Sequence, residues 1–285
     1  MTQSKAWPQK TMVGYVTAYG STTPPNVTNI MISNAIAQGY TVFVYAFGNI
    51  SSTNTVTGPN SISASDLKTQ IDNIHQNNGI ALISFGGQNN TFLPNINDPQ
   101  TAGINSAQFC TQNGFDGIDL DLESVAVDDT YLVSYINALR AQSSDLFITA
   151  APQIGGGYGG SAALAPALFS TSFLNDAKFD ALFIQEYNQF KGAVFDGLQD
   201  TDVGFISASF LPLTKIIPTD TKIVVGEPAN TNAGTGLSNP ADIVSDIQNG
   251  GIVLNNPQYG GVMVWAMNYD SAQGWTFVNG VKPVI

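Results

Sequence analysis

The chain has 285 residues, of which 43% are hydrophobic and only 11% charged. Nine basic residues stand against twenty-one acidic ones, giving a formal net charge of −12. The length suits one large core, and the charge argues against nucleic acid or anionic membrane as a partner. No apolar run approaches the ~20 residues that a membrane-spanning helix needs. Residues 1–10 hold no apolar signal region, so no secretory leader is visible. Cys110 is the single cysteine, which leaves no internal disulfide, and it reads as a buried helical thiol.

Apolar runs with strand character recur at residues 12–19, 41–47, 80–85, 116–122, 146–151, 181–187, 222–226 and 261–267. Helical patterns lie between them, at 26–38, 65–77, 99–112, 129–141, 161–175, 202–210 and 240–249. Ser65 suits a helix cap, and Pro99 and Pro240 suit first turns. This alternation predicts a single (β/α)8 barrel over residues 1–285. A doubly wound open sheet has the same period. Beyond Met267 the residues Trp275, Phe277 and Val278 form no clean stripe, so the last helix is expected to be atypical or missing.

The fourth strand carries the densest chemistry. Residues 114–124 read G-F-D-G-I-D-L-D-L-E-S, with Asp119, Asp121 and Glu123 two apart and Leu120 and Leu122 between them. Strict alternation is the signature of a strand, so the three acids share one face. They stand about 6–7 Å apart along it. Like charges in a row cost energy on a plain solvated face. They are useful where a crowded acid must hold its proton near neutral pH. Asp116 has the opposite parity and reads as structural.

D-G-I-D-L-D-L-E resembles the D-x-x-D-x-D-x-E signature of the family-18 glycoside hydrolases, the chitinases and their relatives. Further matches close other strands. Ser84-Phe85-Gly86-Gly87 resembles the family's S-x-G-G, and paired glycines there would let backbone approach a ligand closely. Gln185-Glu186-Tyr187-Asn188 resembles its Q-x-Y-N, with Glu186 facing away and without a role. Residues 260–265 resemble its G-G-V-M-x-W, ending on Trp265, and Ala150-Ala151-Pro152-Gln153 resembles the end of strand five. Tyr15 and Phe47 match aromatic positions more loosely.

The resemblance implies a chitinase, endo-acting on β-1,4-linked N-acetylglucosamine and needing no cofactor. It implies substrate assistance, an exception among retaining glycosidases, in which the 2-acetamido oxygen attacks its own anomeric carbon. Glu123 would be the general acid and base, Asp121 the support for the amide, Asp119 the group that tunes Asp121, and Tyr187 the donor to the acetamido oxygen. Tyr15, Phe47, Gly87, Gln185 and Trp265 would contact substrate. An endo-β-N-acetylglucosaminidase acting on N-glycans would share the motif, and a carbohydrate-binding or inhibitory barrel would share the fold. An extracellular location fits such an activity.

Other features read more plainly. Residues 155–160 contain G-x-G-x-x-G, but any run so rich in glycine does; it reads as a rim loop in which Tyr158 touches sugar. His75, the single histidine, reads as a solvated surface residue. Acids on one strand do not converge from several directions, so no metal is expected. Asn26, Asn49 and Asn89 begin glycosylation sequons.

Overall fold

Runs rich in Val, Ile and Phe form the strands, as expected for residues that fit a pleated, buried surface. In chain order the first half contains β1 (Thr11–Thr17), α1 (Asn29–Gln38), β2 (Val42–Ile50), β3 (Val56–Thr57), α2 (Ala64–Gln76), β4 (Ile80–Gly86), α3 (Pro99–Asn113), β5 (Gly117–Asp121) and α4 (Asp129–Gln142). There follow β6 (Phe147–Ala150), β7 (Gln153–Gly156), β8 (Ala162–Ala165), α5 (Thr171–Ala177), β9 (Ala181–Gln185), α6 (Phe205–Thr214), β10 (Lys222–Pro228), α7 (Pro240–Gln248), β11 (Tyr259–Trp265), α8 (Met267–Ala272) and α9 (Thr276–Val281). The structure is a computed structural model that describes residues 6–18, 23–89, 98–123, 129–156, 162–165, 169–189 and 194–285.

Parallel pairing runs β10, β11, β1, β2, β4, β5, β6, β9, and β9 pairs back onto β10. That closes an eight-stranded parallel barrel, which settles the choice left open against a doubly wound sheet. β3 adds an antiparallel edge to β2, and β7 and β8 form a hairpin beside β9.

The barrel interior is a packed core, as in other barrels of this kind. Val13, Val42, Ile80, Phe147 and Ala181 fill its amino-terminal end. Trp7 plugs that end, its ring 5.1 Å from Phe147 and 5.9 Å from Phe183. A second core lies between barrel and helices. Cys110 is there, 0% exposed, and burial pushes its thiol pKa up, so it stays an inert thiol.

Most helix starts are capped as their residue types prefer. Thr28 caps α1, Asp98 caps α3 ahead of Pro99, and Asn239 caps α7 ahead of Pro240. The cap of α2 is Ser63 rather than Ser65, and it accepts from the Asp66 amide. α6 begins at Phe205 without a side-chain cap of its own. Its first amides are met instead by Asp246 of α7, which accepts from Gly204, Ile206 and Ser207 at 2.7, 3.1 and 3.0 Å.

Two further expectations are corrected. The helix expected over 161–175 is α5 alone, Thr171–Ala177, because residues 162–165 pair with 153–156 as β8. Alanines favour a helix only until a pairing partner competes. Pro166 also biases its predecessor toward extended backbone. Ser161, residues 166–168 and Tyr158 lie outside the described residues, as do residues 157–160 of the glycine-rich run. The last helix is atypical as expected, being split in two: α8 packs against β1 and α1, and α9 against α7. His75 is not merely solvated, because its Nε2 lies 2.8 Å from Asp116 Oδ2. The same oxygen accepts from the Ala81 amide, so Asp116 ties α2 and β4 together below β5.

Candidate active site

β5 is five residues long and keeps the parity expected of it. Asp119 is 0% exposed, Asp121 is 3% exposed, and Glu123, two residues beyond the strand, is half-buried. The three acids therefore climb from the barrel core to its carboxyl-terminal mouth.

Asp119 sits among hydroxyls from three other strands. Tyr15 of β1 and Ser84 of β4 both donate to its Oδ2 at 2.7 Å, and Thr149 of β6 donates to Oδ1 at 2.8 Å. Burial raises the Asp119 pKa, and these three bonds pull it back. Burial, followed by the negative charge of Asp119, also raises Tyr15 well above the ordinary phenol range, so Tyr15 remains a donor.

Asp121 and Glu123 stand close enough that each acts on the other's proton. Burial raises Asp121 well above the usual carboxylate range, and the charges of Glu123 and Asp119 push it further. Burial also raises Glu123. Two neighbouring carboxyls, one buried and one half-buried, do not readily both ionise, so the pair favours holding one proton between them. Gln185 of β9 fixes the other side of Asp121, donating from Nε2 to Oδ1 at 3.0 Å and to the Ala151 carbonyl at 2.8 Å.

Above the acids lies a cavity of about 620 Å³, lined by Asp121, Glu123, Gln185, Tyr187, Phe47, Gly87 and Trp265 among others. Phe47 and Trp265 stack at 6.1 Å with an interplanar angle of 25°, making an aromatic wall. Tyr15 lies beneath that wall, 5.5 Å from the Trp265 ring and 1% exposed. It is absent from the cavity lining and reaches the site through its bond to Asp119 and its ring contact with Trp265.

The paired glycines act on the protein more than on a ligand. At Gly86, φ +120°, a Cβ would fall 1.9 Å from the Asp121 carbonyl oxygen. At Gly87, φ +79°, it would fall 2.7 Å from the Phe47 ring. The Gly87 amide donates to the Asp121 carbonyl at 2.6 Å. Only glycine lets this turn clasp the end of β5 so closely.

The cavity also takes in residues that reading the sequence did not single out for it. Asn60, Gln88 and Ala233 line it, and Asn188 joins them from the end of the Q-x-Y-N motif. Thr149, which bonds Asp119, was missed as well. Its parity in β6, shared with Phe147 and Ala151, was the signal that could have placed it inside.

Acids and aromatic rings gathered in one cavity at the carboxyl ends of barrel strands define the class: a (β/α)8 barrel with its site where barrel enzymes carry theirs. The chain belongs to the glycosyl hydrolases family 18, whose sequence profile matches residues 11–241. A class III chitinase of Arthroderma benhamiae is 32% identical over 180 residues, covering 59% of this chain and 49% of that protein. The chain thus spans about half the length of that relative. An acidic endochitinase of Vitis vinifera is 26% identical over 95% of this chain and 87% of its own length. A family GH18 chitinase from Chromobacterium violaceum superposes with a TM-score of 0.76 at 22% identity, over 98% of this chain and 84% of that one, and so shares the fold.

Proposed function

We propose that the chain hydrolyses β-1,4-linked N-acetylglucosamine chains with retention, the substrate's own acetamido group acting as nucleophile. The observation that carries this reading is the Asp121–Glu123 pair: two acids sharing a proton on the wall of the aromatic cavity. When a sugar enters, its acetamido N–H donates to Asp121. That contact favours ionised Asp121 and leaves the proton on Glu123. Glu123 then protonates the departing glycosidic oxygen. The acetamido oxygen attacks the anomeric carbon, and Asp121 stabilises positive charge growing on the amide. Tyr187 donates to that oxygen and holds it in line. The ionised Glu123 next activates water, which opens the oxazolinium ring and returns the proton.

Asp119 tunes this step from below, its charge opposing full ionisation of Asp121. Trp265 and Phe47 support the apolar faces of the sugar. The natural partner is accordingly chitin or its oligomers, met outside the cell.

The test is turnover of a fluorogenic chitobiose derivative by the wild type and Glu123→Gln. A loss of roughly two to four decades with binding retained is expected, the usual size of a general-acid contribution. Near-normal turnover in the variant would remove Glu123 from its role. No turnover by the wild type, with oligomers still bound, would make the chain a binding barrel. Release of N-glycans from a high-mannose glycoprotein, with chitin oligomers left intact, would favour the endo-β-N-acetylglucosaminidase. Cellulose, lacking the amide, is expected to remain uncut.

A further inference from the structure

A second group of acids stands behind Tyr187, outside the barrel. Glu186 follows β9 and Glu227 lies in β10. The register pairing Gln185 with Gly226 sets these two glutamates side by side. Both are 0% exposed. Asp200, before α6, and Asp246 of α7 face them. Among the described residues no ion pair reaches any of the four. Nor does any group of three acids, histidines or cysteines there converge as a cation site. For the two enclosed glutamates, Glu186 and Glu227, the neutralising partner is therefore the proton.

Two of these acids, Asp200 and Glu227, have contacts that lead to Tyr187, and the other two hold α6. Asp200 accepts from the Gln189 amide at 2.8 Å, and the Gln189 side chain donates to the Tyr187 carbonyl at 2.8 Å. Glu227 Oε2 accepts from the Leu237 amide at 3.1 Å, while its Oε1 is buried without a hydrogen-bond partner. Ser209 of α6 donates to Glu186 at 3.2 Å, and Asp246 accepts three amides at the start of α6.

The segment 229–237 is wedged between Glu227 and the active site. A Cβ on Gly236 would stand 2.6 Å from Tyr187 Cβ and 2.8 Å from Glu227 Oε2, so no slack separates the three. Asn188 clamps the segment further: its amide donates to the Thr235 carbonyl at 2.7 Å, and its Oδ1 accepts from the Thr235 amide at 2.8 Å. Ala233 of the same segment lines the cavity.

We propose that Glu227 is a positioning residue: as a neutral acid it seats residues 229–237 against the back of Tyr187, and its ionisation on alkalinisation unseats them. The proposal rests on the part assigned above to Tyr187. Burial raises Glu227 well above the carboxylate range, and the charges of Glu186, Asp200 and Asp246 act on it in the same direction. A folded-state pKa above the unfolded one gives stability that is complete below the unfolded value and is lost as pH rises through the folded value. The loss therefore falls on the alkaline side. Because Tyr187 aligns the reacting amide, its displacement lowers kcat more than it raises KM.

The decisive comparison is wild type against Glu227→Gln, which keeps the acceptor for Leu237 but has no charge to gain. Two readouts are followed from about pH 5 to pH 9: hydrogen exchange at the Leu237 and Thr235 amides, corrected for intrinsic exchange, and kcat and KM on the chitobiose derivative. Wild type is expected to lose protection at both amides toward the alkaline end, while Glu227→Gln retains it. The alkaline limb of kcat is expected to move up by at least about one pH unit in the variant, roughly tenfold at a fixed alkaline pH. Coincident alkaline limbs, or wild-type amides as protected at the alkaline end as at the acid end, overturn the proposal. If no chitobiose derivative is cut, the assigned reaction fails, but the exchange comparison still decides the role of Glu227. If Glu227→Gln does not fold, wild-type exchange decides alone.

Discussion

The hydroxyl shell of Asp119 offers a sharp test of how the site bears its buried charge. Tyr15→Phe removes one donor and nothing else. The ring keeps its packing against Trp265 at 5.5 Å and Phe183 at 6.4 Å, so no apolar cavity opens. What is lost is a 2.7 Å bond to a carboxylate with no solvent to replace it. Hydrogen bonds to charged groups contribute about 1.5–3 kcal/mol net. Ser84 still serves the same oxygen at 2.7 Å and Thr149 the other at 2.8 Å, which puts the expected cost near the lower end, about 2 kcal/mol. For a chain of this length that is about 4 °C in Tm.

The cost must also depend on pH, with a definite sign. Burial already raises Asp119, and the hydroxyls pull it down, so losing one lets it rise further. Its stability contribution is complete below the unfolded carboxylate pKa and is lost as pH rises through the folded value. In Tyr15→Phe that loss continues to higher pH. The gap between wild type and variant is therefore expected to be small near pH 4 and to widen toward about pH 7. Urea unfolding at both pH values measures it. A gap under about 0.5 kcal/mol at neutral pH, or one larger in acid, would refute the view that these hydroxyls support an ionised Asp119.

Three further outcomes are expected. Gly86→Ala should be severe, since its Cβ would meet the Asp121 carbonyl at 1.9 Å with φ at +120°; a cost of about 3 kcal/mol or more in urea unfolding, with reduced kcat, is expected, and a wild-type midpoint would show that the turn relaxes. Trp265→Ala removes half of the stacked pair and should raise KM for chitin oligomers by roughly tenfold or more, as burial of an aromatic face predicts; unchanged KM would take the ring out of the sugar site. Asp246→Ala leaves the Gly204, Ile206 and Ser207 amides without their acceptor; a loss of about 3 kcal/mol by calorimetry is expected, and a loss under about 1 kcal/mol would mean that water replaces it.

What the sequence discloses here is parity. Alternation alone put Asp119, Asp121 and Glu123 on one face, and the structure brings Asp121 and Glu123 to one cavity with Asp119 beneath. Partners across strands were less legible. Ser84 and Thr149 meet Asp119 only because β4 and β6 flank β5 in register, pairing Ser84 and Thr149 each with Asp119. Register is a tertiary fact, fixed by closure that no period reveals. The same gap explains the misread helix: residues 162–165 have a helix-tolerant composition, and the 153–156 strand that pairs with them lies beyond what their own pattern shows. Glu186 had no assignable role because its neighbour, Glu227, lies 41 residues away in sequence and one strand away in space.

Those two glutamates bear on why the barrel's acids are arranged as they are. An acid enclosed by protein must be solvated by donors, share a proton or stay neutral. Asp119 takes the first course, with hydroxyls from three strands. Asp121 and Glu123 take the second, and a shared proton is the one arrangement of the three that leaves a proton free to travel. Glu186 and Glu227 take the third, being too dry and too close to other acids to ionise readily. The order follows from access. Donors suit the deepest inward position, where three strands converge on one carboxylate. Sharing suits the mouth, where substrate has to be able to tip the proton to one side. Neutrality suits the position behind Tyr187, where a charge would push apart the segment that holds the tyrosine.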